Sequence, residues 1–246
     1  MTPLAAIAAF STVVVALFPP VAAGASLCQA ASAAERNTLV ELFTSEGCSS
    51  CPPADAWLSR LKGQAGVVPL AFHVDYWDRL GWVDRFADAA YTRHQEHRRA
   101  LGGLSYLFTP QIVVNGQTTR LGASRALAPA GVPGADLQVA VSAAAAGLHA
   151  DVAVRVRAGQ RTDGAQAWLA VSENGLTSEV RAGENAGNTL RHDFVVREWY
   201  GPFAVPGTGV LNTAVALRRT RIAGARVTVF VERGADILQA LAVDCS

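Results

Sequence analysis

The stretch TLVELFTSEGCSSC, residues 38–51, decides which fold the sequence predicts. Its first six residues have the β-branched and aromatic content of a buried strand. Two cysteines, Cys48 and Cys51, follow that strand, and the apolar side chains of Leu58 and Leu61 then lie at helical spacing. The stretch therefore predicts a Cys-x-x-Cys motif at the junction between a strand and a helix, which is far more specific than the motif alone.

The elements downstream of this junction complete a known order. In sequence they are a strand at 67–74, a helix at 84–100, a hairpin of strands 111–114 and 117–121 around the turn Asn115-Gly116, and an alanine-rich helix at 134–147. Thr109-Pro110 precedes the hairpin. Strand, helix, strand, helix, strand, strand, helix is the thioredoxin arrangement.

From residue 149 the pattern changes to strand-like runs. Residues 151–157 alternate cleanly between apolar and polar side chains, and similar strand-like runs lie at 168–171, 214–217 and 226–231. The expected fold class is therefore α/β, with a thioredoxin-like domain over residues 37–148. A mainly antiparallel, sandwich-like β domain is expected over residues 149–246.

The N-terminal residues have the features of an export signal. No charged side chain precedes Glu35, and residues 4–18 form an apolar run of the length of a signal-peptide core. A signal peptide over residues 1–25 is predicted, with cleavage as late as residue 34 as a second choice, so the protein is expected to be exported, either periplasmic or secreted. The alternative is a retained membrane anchor, and only then is the membrane a partner.

Charge and composition exclude one class of partner. The chain has 21 basic and 20 acidic residues in 246, with a net charge of +1, and its arginine clusters are too short to follow a nucleic-acid backbone. Nucleic acid is therefore not expected as a partner. Half the residues are apolar, which is enough for one or two cores.

The four cysteines divide into two kinds. In an exported chain, disulfides are expected because the compartment is oxidising. Cys48 and Cys51 are three residues apart and can pair locally, whereas Cys28 and Cys245 lie near opposite ends of the chain and could form a structural disulfide. The second pair requires that signal cleavage leave Cys28 in place.

Several stretches resemble one family. VELFTSEGCSSCPPAD at residues 40–55, FHVDYWD at 72–78, the segment 109–116 and GENAG at 183–187 are similar to secreted bacterial thioredoxin-like proteins of domain of unknown function 1223. The resemblance extends over about residues 38–200 and implies the thioredoxin-like fold, with a cis Pro110 facing the dithiol. It supports a redox role but implies no substrate, because the family has no settled activity.

The chemistry expected of the motif is thiol-disulfide exchange. The positive end of a helix dipole and its unpaired N–H groups stabilise a thiolate at the first cysteine, so Cys48 is the predicted nucleophile and Cys51 the resolving thiol. Ser49 and Ser50 can add hydrogen bonds, and Thr109 and Pro110 would border the substrate site. The expected partners are exported thiol or disulfide proteins or small thiols, with no cofactor and no metal.

Three alternatives stay open at this stage. Cys48 and Cys51, with His73 as a third ligand, could carry copper. The chain could also be a non-catalytic binding module, or the dithiol a static disulfide. His73 itself is either a proton shuttle or simply hydrogen-bonded.

Two further features had open interpretations. His94 and His97 have the spacing of metal ligands on a helix, with solvated side chains as the plainer interpretation. The loop at 181–193 either reaches the dithiol or is an ordinary connection. The sequence does not indicate an oligomeric state or the direction of exchange.

Overall fold

The computed structural model describes residues 26–122, 127 and 131–245. These residues form fourteen strands and two α-helices. The strands are β1 Ser26–Ala31, β2 Thr38–Thr44, β3 Val67–His73, β4 Gln111–Val114, β5 Gln117–Thr119, β6 Ala135–Ala144, β7 Gly147–Val156, β8 Ala165–Glu173, β9 Leu176–Glu179, β10 Thr189–His192, β11 Val195–Ala204, β12 Val210–Ala216, β13 Ala225–Arg233 and β14 Asp236–Cys245, and the helices are α1 Pro52–Ser59 and α2 Ala89–Leu101.

The largest sheet has eight strands in the order β14-β13-β8-β11-β3-β2-β4-β5. β2 and β3 are parallel, as a helical crossover requires, and β11 joins β3 in parallel through Val195 opposite Ala71. The remaining neighbours in this sheet are antiparallel. Strands from both halves of the chain thus form one continuous surface.

A second sheet, β1-β6-β7-β12, packs on this surface. Alternate side chains of β6 and β7, such as Leu137 and Val152, share a core with Leu169 and Val229 of the large sheet. Together the two sheets form a sandwich.

The two helices cover opposite faces of the large sheet. Leu58 of α1 packs with Val40 and Leu42, on the face that also carries the second sheet. Tyr91 of α2 packs with Phe43 on the other face. Because successive residues of β2 point to opposite faces, the strand is buried from both sides, including Glu41 at its middle.

The expected α/β class with a thioredoxin-like domain is wrong. The chain is a mainly β, sandwich-like protein, in which strands far outweigh the two helices among the described residues. The largest error is at residues 134–147, where alanine content suggested a helix. Leu137, Val139 and Val141 are buried in strict alternation, and this period of two places them in β6 instead. The division of the chain at residues 148 and 149 stays a prediction, and that boundary falls within β7.

Other elements lie where the sequence placed them. The hairpin β4–β5 turns at Asn115 and Gly116, both with positive φ. A Cβ at Gly116 would lie 1.8 Å from the carbonyl oxygen of Ala235, so only glycine fits there. Helix α2 begins later than predicted, at Ala89, because the carboxylate of Asp88 accepts a hydrogen bond from the N–H of Ala90 and caps it.

The ends of the described chain are joined by the expected disulfide between Cys28 and Cys245. It links β1 of the second sheet to β14, the edge strand of the large sheet. The predicted signal peptide, residues 1–25, lies outside the described residues. Within the described part of the chain, no helix has the length and apolar content needed to span a membrane.

Candidate functional site

The two motif cysteines form a disulfide at the junction between β2 and α1. Cys51 is the N-cap residue of α1, and its Cα lies 5.4 Å from that of Cys48. Pro52 and Pro53 occupy the first turn of the helix, where a missing N–H costs little because no helical acceptor faces it. The motif is therefore at the positive end of a helix, as the sequence predicted.

Both cysteines are fully buried, with 0% of either residue exposed. Ser49 and Ser50, between them, are exposed. Besides its disulfide partner, the Cys48 sulfur lies 3.4 Å from Ser50 Oγ, a hydrogen-bond distance for sulfur. Something other than the motif itself must therefore cover the sulfurs.

A segment between β9 and β10, residues 183–187, called here the covering loop, is hydrogen-bonded to the motif. Asn185 Nδ2 donates to the carbonyl oxygens of Glu46 and Cys48, each at 2.9 Å. Glu184 Oε2 accepts hydrogen bonds from the backbone N–H of Ser49 at 3.0 Å and from its hydroxyl at 2.7 Å. The loop at 181–193 thus does reach the motif, rather than acting as a plain connection.

A group of buried ionisable side chains lies next to the motif. His73 Nδ1 and Asp84 Oδ2 are 2.7 Å apart, and the same carboxylate oxygen accepts the N–H of Glu46 at 2.9 Å. Glu46 Oε2 accepts from Trp82 Nε1 at 2.7 Å, and its other oxygen lies 3.4 Å from His192 Nε2. His73 and His192 are themselves in edge-to-face contact.

Mutual electrostatics fix the charge states in this group. Burial disfavours the imidazolium of His73, but the carboxylates of Asp84, Asp55 and Glu46 outweigh burial and raise its pKa. Burial likewise opposes the charge of Asp84, yet His73 and two backbone N–H groups lower its pKa. His73 and Asp84 therefore form a buried ion pair, to which the end of β3 contributes the histidine.

The pKa of the Asp55 carboxyl shifts in the opposite direction to that of Asp84. Asp55 lies one turn beyond Cys51, and its N–H donates to the carbonyl oxygen of that cysteine at 3.1 Å. Burial raises the pKa of the Asp55 carboxyl, which favours its neutral form. A pocket of about 250 Å³ lies beside it, lined by Pro52, Asp55, Ala56, Thr189, Leu190, Arg191 and His192.

The peptide bond between Thr109 and Pro110 is cis. Gln111, which follows, pairs with Phe43 near the end of β2, so this bond lies close to where the motif loop begins. Thr109 Oγ1 accepts from Trp77 Nε1 at 2.8 Å, and Trp77 packs against Gly47. The role of Pro110 in binding a substrate stays a prediction.

The structure separates some residues that the sequence grouped. His73 is hydrogen-bonded to Asp84 instead of to a sulfur. In the described residues, no group of three His, Cys, Asp or Glu side chains is arranged to hold a metal ion. The copper alternative remains a prediction without a geometry that favours it.

His94 and His97 belong to a different place. His94 is buried and its Nε2 lies 2.6 Å from Glu41, so the interpretation as a solvated side chain is wrong for it. His97 Nε2 lies 3.1 Å from Glu232. The sequence did carry a signal for this network, because Glu41 is a charged residue in the middle of a buried apolar strand.

The residues missed from sequence are Asp55, Asp84, Glu184 and Asn185. Asp55 lies four residues after Cys51 and so on the same helix face, a spacing that could have been used. Nothing local indicates that Asp84 reaches the motif, whereas the segment that carries Glu184, Asn185 and His192 was predicted to reach it as one of two alternatives.

Comparisons with known proteins agree with this description of the fold. A family model described as a protein of unknown function (DUF1223) matches residues 39–232. Among curated proteins, none matches the chain.

Two solved structures are similar to the chain. The protein AGR_C_4864 from Agrobacterium tumefaciens is 20% identical with a TM-score of 0.65, over 87% of this chain and 97% of that one. HBP35 of Porphyromonas gingivalis is 15% identical with a TM-score of 0.63, over 85% of this chain and 75% of that one. At these identities the similarity extends to the fold alone.

Proposed function

We propose that this chain, which belongs to the DUF1223 family of proteins of unknown function, is an exported thiol-disulfide oxidoreductase. The observation that carries the proposal is the Cys48–Cys51 disulfide at the start of α1, beside a buried group of ionisable side chains. A dithiol in this position can cycle, because the helix start favours the thiolate and neighbouring carboxyl and imidazole groups can hold protons.

The exchange itself needs only the two sulfurs. In the reduced protein the Cys48 thiolate attacks a partner disulfide, forms a mixed disulfide and releases one partner sulfur as a thiolate, which takes up a proton. Cys51, as a thiolate, then attacks the Cys48 sulfur and releases the second partner sulfur. The partner gains two electrons and two protons, and the protein ends with the Cys48–Cys51 disulfide. The reverse sequence oxidises a partner dithiol.

The surroundings favour the reducing direction. Pro52 and Pro53 remove two N–H groups from the first helical turn, and Glu184 already occupies the N–H of Ser49. Burial opposes the charge of Glu46, but hydrogen bonds with His192 and Trp82 lower the pKa of its carboxyl. The resulting carboxylate adds negative charge near the motif. These features limit how far the helix start stabilises the thiolate, and a less stabilised thiolate makes the reduced form a better electron donor.

The roles of the two cysteines can be tested by trapping the mixed disulfide. The reduced Cys51→Ser variant is mixed with an oxidised disulfide-containing peptide, and the products are identified by mass under non-reducing conditions. We expect Cys51→Ser to accumulate a covalent adduct at Cys48, because nothing resolves it. The matched variant Cys48→Ser should form far less adduct. Equal trapping by both variants would contradict the assignment of Cys48 as nucleophile.

A further inference from the structure

The exchange described above requires that a partner sulfur approach Cys48 in line with its disulfide. In the oxidised protein this approach is closed, because both cysteines have no exposed surface. The covering loop forms its hydrogen bonds with the motif through Glu184 and Asn185, which hold it against the backbone of Cys48 and Ser49. Opening of this segment would expose that part of the motif.

The covering loop has the construction of a unit that can move as a whole. Its ends are closed on themselves by hydrogen bonds from Gly187 N–H to the Val180 oxygen at 2.8 Å and from Val180 N–H to the Asn188 oxygen at 2.9 Å. It connects β9 and β10, which form a two-stranded sheet separate from both large sheets. Lifting the loop would break few backbone hydrogen bonds of the core.

The contacts that hold the loop down are few and polar. Asn185 is 4% exposed, and its amide bridges two carbonyl oxygens of the motif. Glu184 is exposed, and hydrogen bonds from Ser49 lower the pKa of its carboxyl, so it is ionised. Hydrogen bonds of this kind contribute little net stability in water, because water competes for both partners, so local opening of the loop is accessible on the timescale of exchange.

We propose that residues 183–187 are a lid that must lift before Cys48 can exchange, and that Glu184 and Asn185 determine which partners gain access to the dithiol. This inference rests on the proposed function. A partner has to compete for the Cys48 carbonyl and the Ser49 N–H, so an extended peptide around a cysteine fits this site better than a thiol with no backbone.

The test is the rate at which dithiothreitol opens the Cys48–Cys51 disulfide in the folded, full-length mature protein. Samples are quenched with iodoacetamide and each cysteine is read by peptide mass. We expect Asn185→Ala to open about tenfold faster than the wild type, because the two bridging hydrogen bonds are lost. The control is Asn188→Ala, the same substitution at an exposed position one residue beyond the covering loop.

A second variant guards against failure of Asn185→Ala to fold. Glu184→Gln changes only an exposed side chain. It removes the negative charge of the carboxylate that accepts two hydrogen bonds from Ser49. We expect about threefold faster opening, with Glu179→Gln on the neighbouring strand as control. Equal opening rates in the wild type, Asn185→Ala and Glu184→Gln would overturn the lid.

Failure of the lid and failure of the function give different results. If glutathione exchanges reversibly with the Cys48/Cys51 pair but the disulfide opens at the same rate in all variants, the proposed oxidoreductase function is supported and the lid is contradicted. If no variant exchanges with glutathione, the proposed function itself is wrong.

Discussion

At the scale of single residues, the site is defined by how charge is distributed next to the sulfurs. His73 and Asp84 hold each other ionised in the interior, whereas burial keeps Asp55 toward its neutral form. A disulfide that served only to staple the chain would not need such neighbours, since buried charges cost stability unless they are paired. Their retention beside the motif is consistent with proton transfer during exchange.

The His73–Asp84 pair has a definite pH signature. The pKa of His73 is raised above its usual 6.5, so the pair's contribution to stability is complete below that value and is lost as pH rises through the raised pKa. The pKa of Asp84 is lowered from 3.8, so its contribution is present above that value and is lost as pH falls through the lowered pKa. Between the two limits the pair is intact.

We therefore expect Asp84→Asn to lower the free energy of unfolding by about 3–5 kcal/mol near pH 6, because the buried imidazolium loses its main partner. As pH rises through the raised pKa of His73, the difference from the wild type should shrink, since the imidazole then loses its charge. Urea unfolding with the disulfides intact measures this. A difference that stays constant across the pH range would contradict the buried ion pair.

At the scale of elements, α2 is fastened to the large sheet by an ion network. Arg98 is 1% exposed, and its guanidinium donates to Glu232 of β13 and to Glu41 of β2. Burial opposes the charge of Glu232, but His97 and Arg98 outweigh it and lower the pKa to about 2. One helix is thereby tied to two strands that are distant in sequence.

Replacing Arg98 by methionine should be strongly destabilising. The side chain keeps a similar volume, but two buried carboxylates lose their shared partner, and we expect a loss of about 3–5 kcal/mol in the free energy of unfolding. Arg93→Met on the same helix is the control, with an expected change within about 0.5 kcal/mol. Denaturant unfolding of both variants measures this. A similar loss in the free energy of unfolding for the two variants would contradict the proposed role of Arg98.

The elements also show what sequence can predict. β2, the motif, α1 and the hairpin β4–β5 follow from local patterns, because periodicity and turn residues fix them within a few positions. β6 was missed because Ala135 and Ala140 favour a helix by propensity, whereas burial of Leu137 and Val139 against the other sheet decided for a strand. The covering loop was predicted only as one of two alternatives, since its contacts with the motif span more than 130 residues.

At the scale of the whole molecule, the pairing of β11 with β3 connects the two halves of the large sheet. It joins the βαβ unit that carries the motif to the antiparallel strands of the second half, and so produces one eight-stranded sheet where two domains were expected. No local pattern reveals this contact, because Val195 and Ala71 are far apart in the chain. The Cys28–Cys245 disulfide then fixes the two sheets to each other at the edge strand β14.

The proposed function gives the two disulfides separate tasks, and a glutathione redox titration of the metal-free mature protein tests this most directly. Free thiols are trapped by alkylation and each cysteine is read by peptide mass, with copper uptake measured on the reduced sample. We expect a reversible Cys48/Cys51 couple above about −300 mV, while Cys28–Cys245 stays closed throughout. A Cys48–Cys51 bond that never exchanges, or reduced thiols that bind copper tightly and ignore disulfides, would contradict the oxidoreductase.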